Sequence, residues 1–381
     1  MACSDCITHQ IASSELVNRL LSKPGDFPIA GSLELTLRCN ARCRHCYIMF
    51  PGATTGEMST DQVKAILDKL AEQGVLFLLV TGGEIFARCD FKELYLYAKR
   101  LGFLLTLFTN GTLIDEEMAD FLAEWPPRRI EITIYGHTEE TYEKVTCLPG
   151  SFKRFRRGVE LLLERKLPLA LKTMAMKSNI HEFEQIQAWA EGLGVPFRFD
   201  SMVNPQLDGG TAVLKERITP EQYLSLEGTS EGTRRHYQKL LDMAQSRPRS
   251  PKAFTCGAGI KTFHVDPRGK LHPCMMWRAT PYDLKTGTIK GWIEHLEALR
   301  EQTTIPEDSP CRTCVHHIAC NNCAATSALE NNGVAGKPVD YYCKINYTRE
   351  KLLNLHRFEV NSPSTTEAKQ TTVAPALETA R

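Results

Sequence analysis

The sequence predicts an α/β fold: a parallel sheet wound as a partial (β/α)6 TIM-type barrel, followed by a cysteine-rich region. Three observations carry this. From Leu33 onward short apolar runs alternate with amphipathic helical stretches, the pattern of parallel strands joined by crossover helices. Six such strands follow in series, too many for a small module and fewer than the eight of a closed barrel. Past residue 254 helical periodicity fades and cysteines crowd together. A doubly wound sheet also satisfies the pattern, because strand order is not written in the chain.

The strands read as Leu33 to Leu37, Val75 to Val80, Leu104 to Phe108, Arg129 to Ile134, Leu169 to Met174 and Phe197 to Val203. The helix before the second strand opens at the capping box Ser59-Thr-Asp-Gln62, places Val63, Ile66, Leu67 and Leu70 on one face and closes at Gly74. The next opens at Asp90, carries Leu94, Tyr97, Ala98 and Leu101 at helical spacing and ends at Gly102. Helical stretches near 115–124, 151–166 and 180–192 separate the later strands. The chain thus divides into an N-terminal segment (1–30), the barrel (31–204), a bridging helical region (205–253), a cysteine-rich domain with a terminal helix near 345–357 (254–357) and a tail (358–381). In the bridge, Thr219-Pro220-Glu-Gln222 opens a helix with proline at its first position. The tail is nearly free of large apolar residues and reads as disordered, since it cannot offset its ordering entropy.

With 381 residues and 42% hydrophobic content the chain supports a substantial core. Lys and Arg number 46 against 45 Asp and Glu, a net charge of +1, so no global field points to nucleic acid or an anionic membrane. No stretch approaches the roughly 20 apolar residues that span a bilayer. Residues 1–21 lack an apolar core of signal-peptide length. Fourteen cysteines in a chain of this size then point to a reducing cytoplasm and to metal rather than disulfides.

Cys39, Cys43 and Cys46 form a C-x3-C-x2-C run just after the first strand. Three thiolates are one too few to close a 4Fe-4S cubane, which leaves one iron open for chemistry. This motif resembles the signature of the radical S-adenosylmethionine (radical SAM) enzymes, which have a (β/α)6 core. The resemblance implies that the methionine end of SAM chelates the open iron and that one electron cleaves the sulfonium to a 5′-deoxyadenosyl radical. It implies that His45, before the last cysteine, lies near the adenine. Thr81-Gly82-Gly83-Glu84, directly after the second strand, resembles the family's glycine-rich SAM motif. Its glycines are read as allowing close backbone approach to the ligand, with Glu84 as charge partner of the SAM amino group. Thr109 and Asn110, at the end of the third strand, and Thr133, late in the fourth, fall where the family places polar contacts to SAM. Lys172 on the fifth strand is placed either to meet a carboxylate or to reach the surface.

Seven more thiols follow: Cys256, Cys274, Cys311, Cys314, Cys320, Cys323 and Cys343. Their order resembles the SPASM extension of radical SAM enzymes, with one departure, two residues instead of three between Cys320 and Cys323. The resemblance implies two auxiliary 4Fe-4S clusters. Cys256, Cys274 and Cys323 would hold the nearer one, with an iron left open, and Cys311, Cys314, Cys320 and Cys343 the farther one. The alternative is zinc, in a ribbon of Cys311, Cys314, Cys320 and Cys323 with His316 or His317 as spare ligands, which leaves Cys256, Cys274 and Cys343 unexplained. Cys3, Cys6, Cys89 and Cys147 read as thiols without an assigned role.

SPASM members act mostly on peptides, so the resemblance implies a ribosomally synthesised precursor peptide, modified by hydrogen abstraction into a thioether or carbon crosslink, or epimerised. In epimerisation Cys147 or Cys89 would return the hydrogen. Sulfatase maturation is disfavoured: Met275 stands after Cys274, where those enzymes carry an aspartate base. About thirty residues precede the barrel, too few for a leader-binding domain, so a separate leader-recognition protein or direct docking is expected, with an external one-electron reductant such as flavodoxin or ferredoxin. The basic run 152–157 reads as solvated surface. Two other readings stand: tetrapyrrole or other cofactor biosynthesis, and a non-catalytic iron-sulfur electron-transfer protein.

Overall fold

A computed structural model describes residues 27–48, 54–247 and 249–356. Six parallel strands, β1 (Ala30–Thr36), β2 (Phe77–Gly82), β3 (Leu104–Thr109), β4 (Arg129–Ile134), β5 (Leu169–Met174) and β6 (Phe197–Asp200), lie side by side in chain order. Every crossover therefore steps the same way, which is the winding of a barrel. A doubly wound sheet reverses at a switch point, and none falls within β1 to β6.

The strands form because their apolar positions alternate. On β4, Ile130, Ile132 and Ile134 are fully buried in the main core, whereas Glu131 and Thr133 point to the opposite face, the barrel lumen. Leu33, Leu35, Leu78, Val80, Leu105 and Leu107 repeat this on β1 to β3. Against that face pack helices α1 (Thr60–Glu72), α2 (Phe91–Arg100), α3 (Glu116–Glu124), α4 (Glu139–Thr146), α5 (Ser151–Glu164) and α6 (Phe183–Gly192). α1 opens on the reciprocal Ser59–Gln62 box and buries Val63, Ile66, Leu67 and Leu70, each contributing about 1.5–3 kcal/mol.

α2 turns slightly from the expected face. Phe91, Leu94, Tyr95 and Ala98 are buried, while Tyr97 sits at the rim and its hydroxyl donates to Asp68 at 2.6 Å. Asp90 does not cap the helix with its side chain; its carboxylate binds Arg88 and Thr60, each at 2.6 Å. β2 begins at Phe77 rather than Val75, so Gly82 belongs to its end, and β6 stops at Asp200 rather than Val203. α4 was not expected. Its eight residues bury only Tyr142 and Val145 as apolar markers, too few for a periodicity.

The sheet does not stop at the barrel. β7 (Phe263–Val265) pairs parallel with β1, and β8 (Lys270–His272) and β9 (Tyr282–Asp283) follow antiparallel, giving the order β6-β5-β4-β3-β2-β1-β7-β8-β9. Gly31 is required at this junction, because a Cβ there would stand 2.3 Å from the Phe263 ring. The bridge holds α7 (Pro220–Glu227), with its Thr219–Gln222 box, and the longer α8 (Glu231–Ser246). α9 (Ile289–Gln302), α10 (Ala324–Glu330) and α11 (Asp340–Leu352) complete the chain. The expected terminal helix thus begins about a turn earlier, and the buried Arg349 ties it to α7 through Glu227 at 2.9–3.1 Å. The tail and Cys3 and Cys6 lie outside the described residues. Among the described residues no helix is long and apolar enough to cross a membrane.

Candidate active site

The loop after β1 carries Cys39, Cys43 and Cys46, all partly exposed. Its backbone is pinned independently of the thiols. Arg42 and Arg44 donate N–H groups to Thr146 and Val145 at 3.0 Å, and Leu37 N donates to Glu57 at 2.7 Å. Burial pushes the Cys39 thiol up to about 11, with Glu84 and Cys46 adding to it against the Ala41 N–H. Cys43 is raised further by burial and then by Cys46 and Cys39, so the three sulfurs share one electrostatic environment. Thiols this reluctant to ionise alone become thiolates when iron binds them.

Gly82 and Gly83 explain how the second strand meets this loop. Gly82 has φ +144°, and a Cβ on it would lie 2.1 Å from Thr36 O; one on Gly83 would lie 2.3 Å from Arg38 O. Gly83 N and Glu84 N donate to those two carbonyls at 2.8 Å. The glycines thus admit the cysteine loop. Gly82→Ala is therefore expected to destabilise the fold by roughly 1–3 kcal/mol and to weaken SAM binding, measured by urea denaturation and a SAM titration.

Glu84 is fully buried and accepts hydrogen bonds from Thr109 Oγ1 and Asn110 N at 2.7 Å and Phe86 N at 3.3 Å. Burial raises its pKa despite these donors, and no basic group of the described residues offsets it. A buried carboxylate without a cation fits an ammonium ligand. The Asn110 side chain is committed to the loop: it donates to Asn40 at 2.9 Å and accepts from Thr112 N and Oγ1 at 2.9 and 2.6 Å. Thr133 is half-buried and hydrogen-bonds the Tyr135 side chain. The His45 ring lies 5.1 Å from that of Tyr135, and its buried Nδ1 has no hydrogen-bond partner among the described residues. Burial lowers His45 to about 4, so it is a neutral ring with an unanswered polar edge, suited to a purine.

The C-terminal thiols fall into two neighbourhoods. Burial raises Cys274, and Cys323 and Cys256 add to it. Burial raises Cys343 to about 11, with Cys320, Cys311 and Cys314 adding to it, and Cys320 likewise feels Cys314 and Cys311. Cys320 and Cys323 thus face different sets although only Asn321 and Asn322 separate them. Asn322 anchors that turn by donating to Lys337 O at 2.9 Å, and Cys323 caps α10.

One feature escaped the sequence reading. Glu34, 2% exposed, points from β1 to Arg278 at 2.9 Å and His264 at 3.3 Å, and Asp266 meets His272 at 3.2 Å. Arg278 Nε also donates to Met275 O at 2.8 Å, and the Tyr47 hydroxyl lies 3.4 Å from Met275 Sδ. This buried network joins the loop of Cys46 to the loop of Cys274. The only hint was a glutamate inside an apolar strand. Beside it a lumen cavity of about 390 Å³ is lined by Ser32, Leu79, Phe108, Glu131, Cys274 and Met275 among others.

The cysteine loop thus sits at the edge of a parallel barrel whose strands follow in chain order, with the buried Glu84 carboxylate behind it. Residues 33–190 match the model of the Radical SAM superfamily. The chain is 34% identical over 321 residues to an AdoMet-dependent heme synthase of Methanosarcina barkeri, covering 77% of this chain and 90% of that protein. It is 27% identical over 327 residues to the PqqA peptide cyclase of Rhizobium meliloti, covering 82% and 84%. Streptococcus suis SuiB, solved with its precursor peptide SuiA, superposes with a TM-score of 0.64 at 14% identity over 83% of this chain and 76% of that one. The chain belongs to the radical SAM superfamily, whose members are catalysts that use a 4Fe-4S cluster and SAM. A non-catalytic electron carrier is thereby set aside.

Proposed function

We propose that this enzyme modifies a ribosomally synthesised peptide. The supporting observation is the lumen cavity that ends at Cys274 and Met275, which offers a substrate one wall of barrel and one wall of auxiliary loop. A peptide-acting relative and a peptide-bound neighbour of the same fold point the same way. Cys39, Cys43 and Cys46 would hold the SAM-side cluster, which when reduced supplies the electron that turns bound SAM into a source of a carbon radical. Glu84 would meet the SAM ammonium, His45 would lie along the adenine, and Thr109, Asn110 and Thr133 would order the surrounding backbone and lumen.

Cys256, Cys274 and Cys323 would hold a nearer auxiliary cluster with an open iron, and Cys311, Cys314, Cys320 and Cys343 a farther one. A separate leader-recognition protein and a flavodoxin or ferredoxin would complete the system. A second reading, tetrapyrrole chemistry, is favoured by the 34% identity to a heme synthase.

The two readings separate in one assay. The reduced, reconstituted enzyme with SAM is given a short peptide encoded beside its gene, or iron coproporphyrin III, and 5′-deoxyadenosine is measured. Stimulation by the peptide, with a product lighter by two hydrogens or epimerised, is expected. Stimulation by the tetrapyrrole alone would replace the first reading with the second.

A further inference from the structure

On the lumen side of the sheet, Lys172 shares its carboxylate partner with a second cation. Lys172 on β5 has a side chain only 16% exposed, and its Nζ stands 3.7 Å from Glu131 Oε2 on β4, past hydrogen-bond length. That same oxygen is already held by Arg198 of β6, at 2.7 Å from Nη2 and 3.2 Å from Nε. On its other side the ammonium faces the Phe108 ring of β3, 2.9 Å from the centroid. Asp200 of β6 adds a weak attraction, and its Oδ1 accepts from Met202 N at 2.9 Å.

A lysine that serves only the fold holds a carboxylate at hydrogen-bond length or extends its head to water. Lys172 pairs only loosely with Glu131, whose Oε2 Arg198 holds more closely. The two neighbours of Lys172, Phe108 and Glu131, line the 390 Å³ cavity together with Cys274 and Met275. A volume of this size takes a small ligand or the reacting end of a larger one. We propose that Lys172 and the part of the cavity lined by Phe108 and Glu131 form a binding site for an alkyl carboxylate of the substrate. The proposal rests on the enzyme reading above and narrows its substrate class. An acidic residue of a peptide and a propionate of a tetrapyrrole both supply the group.

Burial brings Lys172 down to about 7, with Glu131 opposing and Arg198 reinforcing. Only the ammonium form pairs with a carboxylate. Affinity for an acid therefore falls about tenfold per pH unit above 7.

The test uses reconstituted enzyme with SAM and two probe pairs: N-acetylglutamate methylamide against N-acetylglutamine methylamide, and coproporphyrin III against its tetramethyl ester. In one pair the acid is expected to bind about 10- to 100-fold more tightly than its neutral partner, and that pair identifies the source. Lys172→Met erases the preference, and Lys172→Arg keeps most of it. Equal binding within both pairs overturns the site, as does a preference that survives Lys172→Met. Weakened SAM binding in Lys172→Met with an unchanged acid preference would assign the lysine to the SAM carboxylate instead. 5′-Deoxyadenosine formation by the same preparations separates the failures. Its absence in the wild type removes the enzyme reading, whereas normal SAM cleavage without acid preference removes only this site.

Discussion

Replacing Cys39, Cys43 and Cys46 together with alanine is expected to abolish SAM cleavage while leaving the fold in place. The loop's shape comes from backbone bonds to Thr146 and Val145 and from the Glu57 carboxylate, none of which uses a thiol. Losing the sulfurs thus removes ligands without removing the cradle. Iron per chain should fall by about four, the content of one cubane, with urea midpoint little changed. 5′-Deoxyadenosine should drop to the level of enzyme-free controls. Retained cleavage in the triple variant would mean that the radical chemistry is seated elsewhere.

Arg278→Met is expected to be the most damaging single change outside the cysteines. Burial alone would raise the Glu34 pKa, yet Arg278 and then His264 hold it below the ordinary value. Removing the guanidinium leaves a carboxylate buried between strands with only a histidine, itself lowered to about 4 by burial and by Arg278. Breaking such a pair costs about 3–5 kcal/mol at neutral pH.

The pH dependence reverses in sign. In the wild type Glu34 contributes stability that is present above its unfolded pKa and lost as pH falls through the lower folded value. In the variant burial prevails and the folded pKa lies above the unfolded one. The variant therefore loses stability as pH rises from the unfolded pKa toward neutrality, and its deficit against wild type shrinks near pH 4. Urea denaturation at pH 4 and pH 7 reads both effects; equal deficits at the two pH values would show that Glu34 is not the charge being stranded.

The barrel was legible because its signals are long or redundant. Alternating isoleucines on β4 and the four apolar side chains of α1 repeat a period that no other arrangement buries. The thiols were legible because cysteine has few bland uses at such spacing. Contacts between distant segments were not. Glu34, His264 and Arg278 are unremarkable apart, and only the tertiary fold brings them together. β7 to β9 are two or three residues each, shorter than any periodicity. The contact of Gly82 and Gly83 with the backbone of the cysteine loop was not legible, since a sequence marks where a Cβ is forbidden without saying which neighbour forbids it.

The parallel seam between β1 and β7 has a consequence for how the protein is made. Ser32 and His264, neighbours across that seam, are 232 positions apart. At ribosomal speeds of about 5–20 residues per second, roughly 10–50 s pass between the emergence of one and of the other. Throughout that interval the nascent chain displays an unzipped strand margin with an acidic group awaiting its guanidinium, which is the kind of edge that recruits neighbouring polypeptides. The yield of native chain depends on what shelters that margin until the last third of the message has been translated.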